Sequence, residues 1–152
     1  MKLTLAAVGR LRPEFRTLAD EYAARVARFM EFNEAEVREA SRAPSPAVQL
    51  REEADRLGEK IPAGSRLVVL DRTGKGLTSE ALARELDRWR TAAKPVSLVI
   101  GGSNGLAPEL VRSAELAWSL GPLTLPHELA RVVVLEQVYR AWTILRGEPY
   151  HK

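Results

Sequence analysis

The stretch Pro95-Val96-Ser97-Leu98-Val99-Ile100-Gly101-Gly102-Ser103-Asn104-Gly105 decides the fold. Its first half is a short apolar run entered through a proline and left through a glycine pair, the pattern of a buried strand. Its second half is a glycine loop, and Pro108 marks the start of a helix just beyond it. A glycine loop between a strand and a helix gathers backbone N–H groups where a ligand can approach closely. The Gly-Gly-x-x-Gly spacing is not Gly-x-Gly-x-x-Gly, and no acidic residue ends a strand about 20 residues later to grip a ribose. Gly74-Lys75-Gly76 likewise lacks the phosphate-loop pattern. A dinucleotide dehydrogenase and an NTPase both fit badly. A plain turn with Gly105 at positive φ remains an alternative to a ligand site; Leu70, ending the preceding buried strand, would border the same crevice.

Outward from this stretch, strands and helices alternate. Leu3–Val8 and Phe32–Val37 are expected as strands, with a helix from Pro13 to Phe29 between them. Ser41–Pro46 reads as a connection and Ala47–Lys60 as a charged amphipathic helix. Arg66–Asp71 is a further buried strand, Thr73–Gly76 a flexible loop, and Thr78 or Ser79 caps a helix over Glu80–Trp89. A short strand at Ala117–Leu120 and a long helix from Pro126 to Leu145 complete the chain. This order predicts one α/β domain over 1–152, with a mostly parallel sheet flanked by helices.

At 152 residues, with 45% hydrophobic and 28% charged, the chain is neither disordered nor fibrous. No apolar run reaches the ~18–20 residues of a membrane span, and the opening Met1–Gly9 is better explained as a strand than as a signal segment. The absence of cysteine excludes disulfides, thiolate metal sites and cysteine catalysis. A cytoplasmic protein without metal or membrane partner is expected. Residues 1–60 hold eleven basic and eleven acidic groups, whereas 61–152 hold twelve and nine, which supplies the whole net charge of +3. That excess permits a nucleic-acid partner without requiring one.

His127 falls in the first turn of the last helix, where the helix dipole favours neutral imidazole. Along that helix, Leu129, Val132, Val133, Val134, Leu135, Val138, Tyr139, Ala141, Trp142, Ile144 and Leu145 cover almost the whole circumference. Only Glu136, Arg140 and Thr143 form a polar stripe. A helix apolar nearly all round needs cover on more than one side, and a second copy of the chain is the economical partner, so a homodimer is expected. A central core helix is the alternative. Arg140 beside a crevice suits phosphate, although a surface pair with Glu136 would account for it as well. The tail Pro149-Tyr150-His151-Lys152 carries an aromatic ring, an imidazole and a cation, groups that stack on and hydrogen-bond to an unpaired base.

Several of these segments together resemble the RlmH family of SPOUT-class pseudouridine methyltransferases. They are Val99–Gly105, Leu123-Thr124-Leu125-Pro126-His127, Arg131–Ala141 and Pro149-Tyr150-His151, with the amino-terminal Met1–Gly9. The resemblance spans essentially the whole chain. It implies an α/β-knot with a deep trefoil knot and the cofactor site within about 95–152, against the general rule that chains do not thread. It implies a homodimer holding S-adenosyl-L-methionine at the subunit interface. The implied substrate is 23S rRNA in the assembled ribosome, methylated on N3 of a pseudouridine in helix 69. The cofactor contacts fall on Leu70, Gly101 and the loop Leu120-Gly121-Pro122-Leu123-Thr124-Leu125, with Gly102 and Gly105 shaping the cradle. His127, Arg131, Arg140, Tyr150 and His151 match positions near the target base.

In that frame Arg140 stabilises a phosphate or the N3 anion, Tyr150 and His151 place the base and remove its proton, and His127 is the alternative base. Two other functions fit the same residues: a ribosome-binding factor without catalysis, and a small-molecule α/β enzyme whose glycine loop binds a nucleotide.

Overall fold

The computed structural model describes all residues, 1–152. Five strands, β1 (Lys2–Val8), β2 (Glu31–Val37), β3 (Arg66–Gly76), β4 (Val96–Ile100) and β5 (Leu116–Ser119), form one sheet in the order β2-β1-β4-β3-β5. Every neighbouring pair is parallel, so all carboxyl ends lie on one edge. Helices α1 (Pro13–Val26), α3 (Ser79–Thr91) and α5 (His127–Leu145) cover one face; α2 (Pro46–Gly58) and α4 (Pro108–Ser113) cover the other.

The alternation of side chains along each strand builds two cores. Leu3, Leu5 and Ala7 of β1 join Val96, Leu98 and Ile100 of β4 beneath Ala19, Leu82, Leu86, Trp89, Leu135 and Val138. Ala6, Val8, Val69 and Val99 point the other way, onto Leu57 and Leu106. Because both faces are covered, every residue of β4 is buried, which explains why four of its five residues are large and apolar, Ser97 being the exception.

The structure corrects three expectations. Thr73–Gly76 is not a loop: β3 bulges after Leu70 and then resumes, so that Leu70 and Lys75 both pair with Trp118 and Gly76 pairs with Ser119. A Cβ at Gly74 would collide with the Ala117 carbonyl, so glycine is what lets β3 rejoin β5. The first helix ends at Val26 rather than Phe29. Thr143 is fully buried and its hydroxyl donates to the Arg140 carbonyl at 2.7 Å, so it does not belong to a solvent stripe. No helix is long and apolar enough to cross a membrane.

Much of the α5 circumference is covered within one protomer by α1, α3 and the sheet, which bury Val132, Val134, Leu135, Val138, Ala141 and Trp142. A stripe at Leu129, Val133, Glu136, Arg140 and Ile144 stays exposed or half-buried.

Candidate active site

At the carboxyl edge, the end of β3 and the turn after β5 face α5 across a cleft of about 420 Å³. Gly76, Leu77 and Thr78 form one wall, Trp118 to Gly121 the second, and Val133 with Gln137 the third. Leu77, Trp118, Leu120 and Val133 give it apolar walls, and Thr78, Ser119 and Gln137 bring polar side chains into the lining. The Ser119 hydroxyl accepts the Gly121 N–H at 3.1 Å and lies 3.2 Å from the carbonyls of Arg72 and Gly121, one of which takes its hydrogen. That contact sets the turn, and Gly121 occupies φ +121°, a value open to glycine.

Of the ten expected cofactor residues, Leu120 and Gly121 line this cleft. Leu70 is the strand partner of Trp118, one of its walls. Pro122, Leu123 and Thr124 continue from it as exposed chain, Leu123 being 76% exposed, and Leu125 is half-buried. The glycines form a separate turn at the end of β4. Gly105 takes φ +79° and its N–H donates to the Gly102 carbonyl at 3.1 Å. A Cβ at Gly101 would strike the Gly105 carbonyl. Gly102 packs toward Val8 and Glu53 on the α2 side. The glycine at 101 is therefore demanded first by the loop itself.

The tail lies beside the cleft. At the end of α5, Gly147 adopts φ +67°, the Glu148 N–H donates to the Thr143 carbonyl at 2.9 Å, and the Gly147 N–H donates to Ile144 at 3.1 Å. This cap reverses the chain and folds Tyr150 and His151 back along the helix. The Tyr150 ring packs edge-on against Tyr139 with centroids 4.7 Å apart, and the Arg140 guanidinium sits 4.7 Å from its centre. Glu136 Oε1 accepts from the Tyr150 hydroxyl at 3.0 Å and from Arg140 at 2.7 and 3.0 Å. Gln137 Nε2 donates to the other Glu136 oxygen at 2.7 Å, while the Ser79 hydroxyl donates to Gln137 Oε1 at 2.7 Å. Gln137 thus joins the cleft to the tail cluster.

His151 completes the cluster. Its Nε2 lies 3.0 Å from Glu80 Oε1 and its Nδ1 3.4 Å from an Arg140 nitrogen. A carboxylate only accepts, so Nε2 carries the hydrogen and the Nδ1 lone pair faces the guanidinium. Glu80 is held below the usual carboxylate range by its backbone N–H contact and then by His151. Glu136 holds Arg140 charged, raising its already high value. Burial, then hydrogen bonding with Tyr22 and Glu136, pushes the Tyr150 phenol above its ordinary value, so it stays protonated at neutral pH.

The other two candidates lie elsewhere. His127 Nε2 approaches Gly9 at the end of β1, thirteen residues before Arg140 and about 20 Å away along the helix axis at ~1.5 Å per residue. Arg131 is completely buried: it pairs with Glu34 Oε1 at 3.0 Å and with Glu36, and donates to the Gly9 carbonyl at 2.8 Å. Arg16 holds the same two carboxylates from outside. Arg131 therefore clamps α5 to the ends of β1 and β2, and its place in the sequence motif is architectural. Sequence reasoning missed Glu80, Ser79 and Gln137, because nothing local reveals that the tail returns to α3.

An all-parallel sheet with its cleft among β3, β5 and a returning final helix defines the class. The family model described as predicted SPOUT methyltransferase matches residues 1–151, and the chain belongs to that family. Within it, the chain is 44% identical to ribosomal RNA large subunit methyltransferase H of Pseudomonas putida F1 over the full length of both proteins, which places it in the RlmH family of ribosomal RNA methyltransferases. The fold also resembles the tRNA (m1G37) methyltransferase of Aquifex aeolicus, with TM-score 0.58 and 14% identity, covering 92% of this chain and 70% of that one. A putative methyltransferase of Legionella pneumophila, solved with bound SAM, matches with TM-score 0.50 and 15% identity, covering 93% and 66%.

Proposed function

We propose that this protein methylates N3 of a pseudouridine in helix 69 of 23S rRNA within the assembled ribosome, in the cytoplasm, using S-adenosyl-L-methionine. The observation carrying this reading is the hydrogen-bonded path from the cleft through Gln137 to the cluster of Glu136, Arg140, Tyr150 and His151.

The cleft fits the cofactor in size and lining. Leu77, Trp118, Leu120 and Val133 offer apolar walls for a base, and the backbone groups of Gly76–Thr78 and Leu120–Gly121 offer partners for polar edges. We assign the rest of the loop, Pro122 to Leu125, with Leu70, Gly101, Gly102 and Gly105, to shaping and closing this site. The cofactor supplies an electrophilic methyl group on a sulfonium, which leaves a neutral thioether after transfer.

The base must lose its N3 proton as the N–methyl bond forms. His151 Nδ1 takes that proton once the entering base draws the Arg140 nitrogen away from it, and Glu80 behind Nε2 stabilises the resulting imidazolium. Arg140 faces the developing negative charge on the base. Tyr150, which keeps its own proton, positions the base and the guanidinium rather than acting as a base.

A homodimer through α5 is part of this reading. Leu129 and Leu145 on α5 and Leu18 on α1 are exposed large apolar side chains. His127 cannot reach the tail cluster of its own chain; antiparallel apposition of two α5 helices would bring it to the tail of the other. Residues 95–152, which supply β4, β5, α5 and the Trp118–Gly121 wall of the cleft, are assigned to the trefoil knot.

Purified ribosomes incubated with tritiated methyl donor test the reading. Label in 23S rRNA supports it. Ribosome binding without donor affinity would instead mean a non-catalytic factor, and donor affinity without ribosome labelling a small-molecule enzyme.

A further inference from the structure

The first 60 residues balance eleven cations against eleven carboxylates, and the ion pairs of the folded chain engage members of both sets. Glu34 and Glu36 are taken by Arg16 and Arg131, Glu31 by Lys2 and Glu21 by Arg25, and Glu53 is buried. Arg10, Arg38 and Arg42 are exposed and take part in none of the chain's ion pairs. Val8 and Val37 are register partners and the Gly9 N–H donates to the Val37 carbonyl at 2.9 Å, so Arg10 and Arg38 both follow the carboxyl ends of neighbouring strands.

A polar groove of about 320 Å³ opens at this place, lined by Arg38, Arg42 and Arg56 with Ser41, Glu39 and Glu52. Arg56 is fixed by donating to the Arg38 carbonyl at 2.7 Å and is only loosely paired with Glu52 at 3.9 Å. Glu39 is engaged by the Ser103 hydroxyl at 3.0 Å. Guanidinium groups around a polar groove match phosphate oxygens. Ala40 is the one apolar residue in the lining, so no wall exists for a stacked base and a free nucleotide is a poor occupant. A sugar-phosphate backbone is a good one.

The groove is also braced to the glycine loop. Asn104 donates to Gln49, and Gln49 to Glu53 Oε1, each at 3.0 Å; the same oxygen accepts the Ala40 N–H at 3.0 Å. A strand seated in the groove therefore stands in a set relation to the carboxyl edge that carries the active site. We infer that this groove docks the phosphate backbone of ribosomal RNA flanking the target base. The inference rests on the ribosomal RNA methyltransferase reading.

The test is the affinity of the full chain for assembled ribosomes over a range of salt, with Arg38→Gln/Arg42→Gln beside the unchanged protein. The double variant is expected to bind about tenfold more weakly and to lose roughly two from the slope of log K against log salt. Its Kd for S-adenosyl-L-methionine should equal that of the unchanged protein. Arg38→Lys/Arg42→Lys should keep the slope. Unchanged affinity and slope would overturn the inference, as would weaker binding with an unchanged slope, which would identify a protein contact. If the unchanged protein binds ribosomes through these arginines yet transfers no methyl group, the catalytic reading fails and the groove stands. If it transfers methyl groups and the variants bind as it does, the groove alone fails.

Discussion

The Tyr150 hydroxyl and the Arg140 guanidinium meet on one oxygen, Glu136 Oε1, at 3.0 and 2.7 Å. That shared carboxylate anchors a terminal segment which would otherwise fray, and it explains why an aromatic ring and a cation lie at a fixed angle beside the cleft. The tail packs beside the cleft without lining it.

Deleting Pro149 to Lys152 should therefore separate binding from chemistry. Calorimetry with S-adenosyl-L-methionine should return the affinity of the full chain, while transfer to ribosomes falls below detection. Normal turnover by the truncated protein would remove the tail from the site.

Tyr150→Phe keeps the packing on Tyr139 and Arg140 and drops the hydrogen bond to Glu136. A lost bond of about 1 kcal/mol corresponds to roughly fivefold in turnover, with cofactor affinity unchanged. Tyr150→Ala, which removes the ring as well, should cost substantially more in single-turnover assays.

Arg131→Met strands Glu34, Glu36 and the Gly9 carbonyl around an apolar side chain. Breaking a buried pair from one side costs about 3–5 kcal/mol, so thermal unfolding should move down by roughly 10 °C. Equal loss of activity and of folded protein would fit the clamp; a stable, inactive protein would place Arg131 in the chemistry instead.

Glu128 supplies a pH signature. The Arg12 backbone N–H donates to its carboxylate at 2.6 Å and the Arg12 side chain at 2.9 Å, which holds it below the usual value of 4.5. A carboxyl whose folded-state pKa is lowered contributes stability above its unfolded value and loses it as pH falls through the folded one. Thermal midpoints of the natural chain and Glu128→Gln should differ above about pH 4.5 and converge below it. A constant difference down to pH 3 would contradict the contact.

The strands and the long last helix were legible because their patterns are local: the apolar run at 96–100 and the glycines after it permit little else. The return of β3 after its bulge was not, since Gly74 reads as a loop until Ala117 is seen against it. Arg131 looked like a site residue because its partners, Glu34 and Glu36, lie nearly a hundred positions away in the chain. His127 and Arg140 share a helix and a motif, yet one end of that helix meets β1 and the other meets α3. Spacing along a helix gives the face a residue occupies, whereas a common site also requires proximity along the axis.

The most direct measurement of the central claim is mass spectrometry of nucleosides from the helix 69 fragment of 23S rRNA, after ribosomes lacking the modification are incubated with this protein and S-adenosyl-L-methionine. One added methyl group on N3 of a pseudouridine is the predicted result, absent with the tail-deleted chain. A methyl group on another nucleoside, or none anywhere in the fragment, would contradict it.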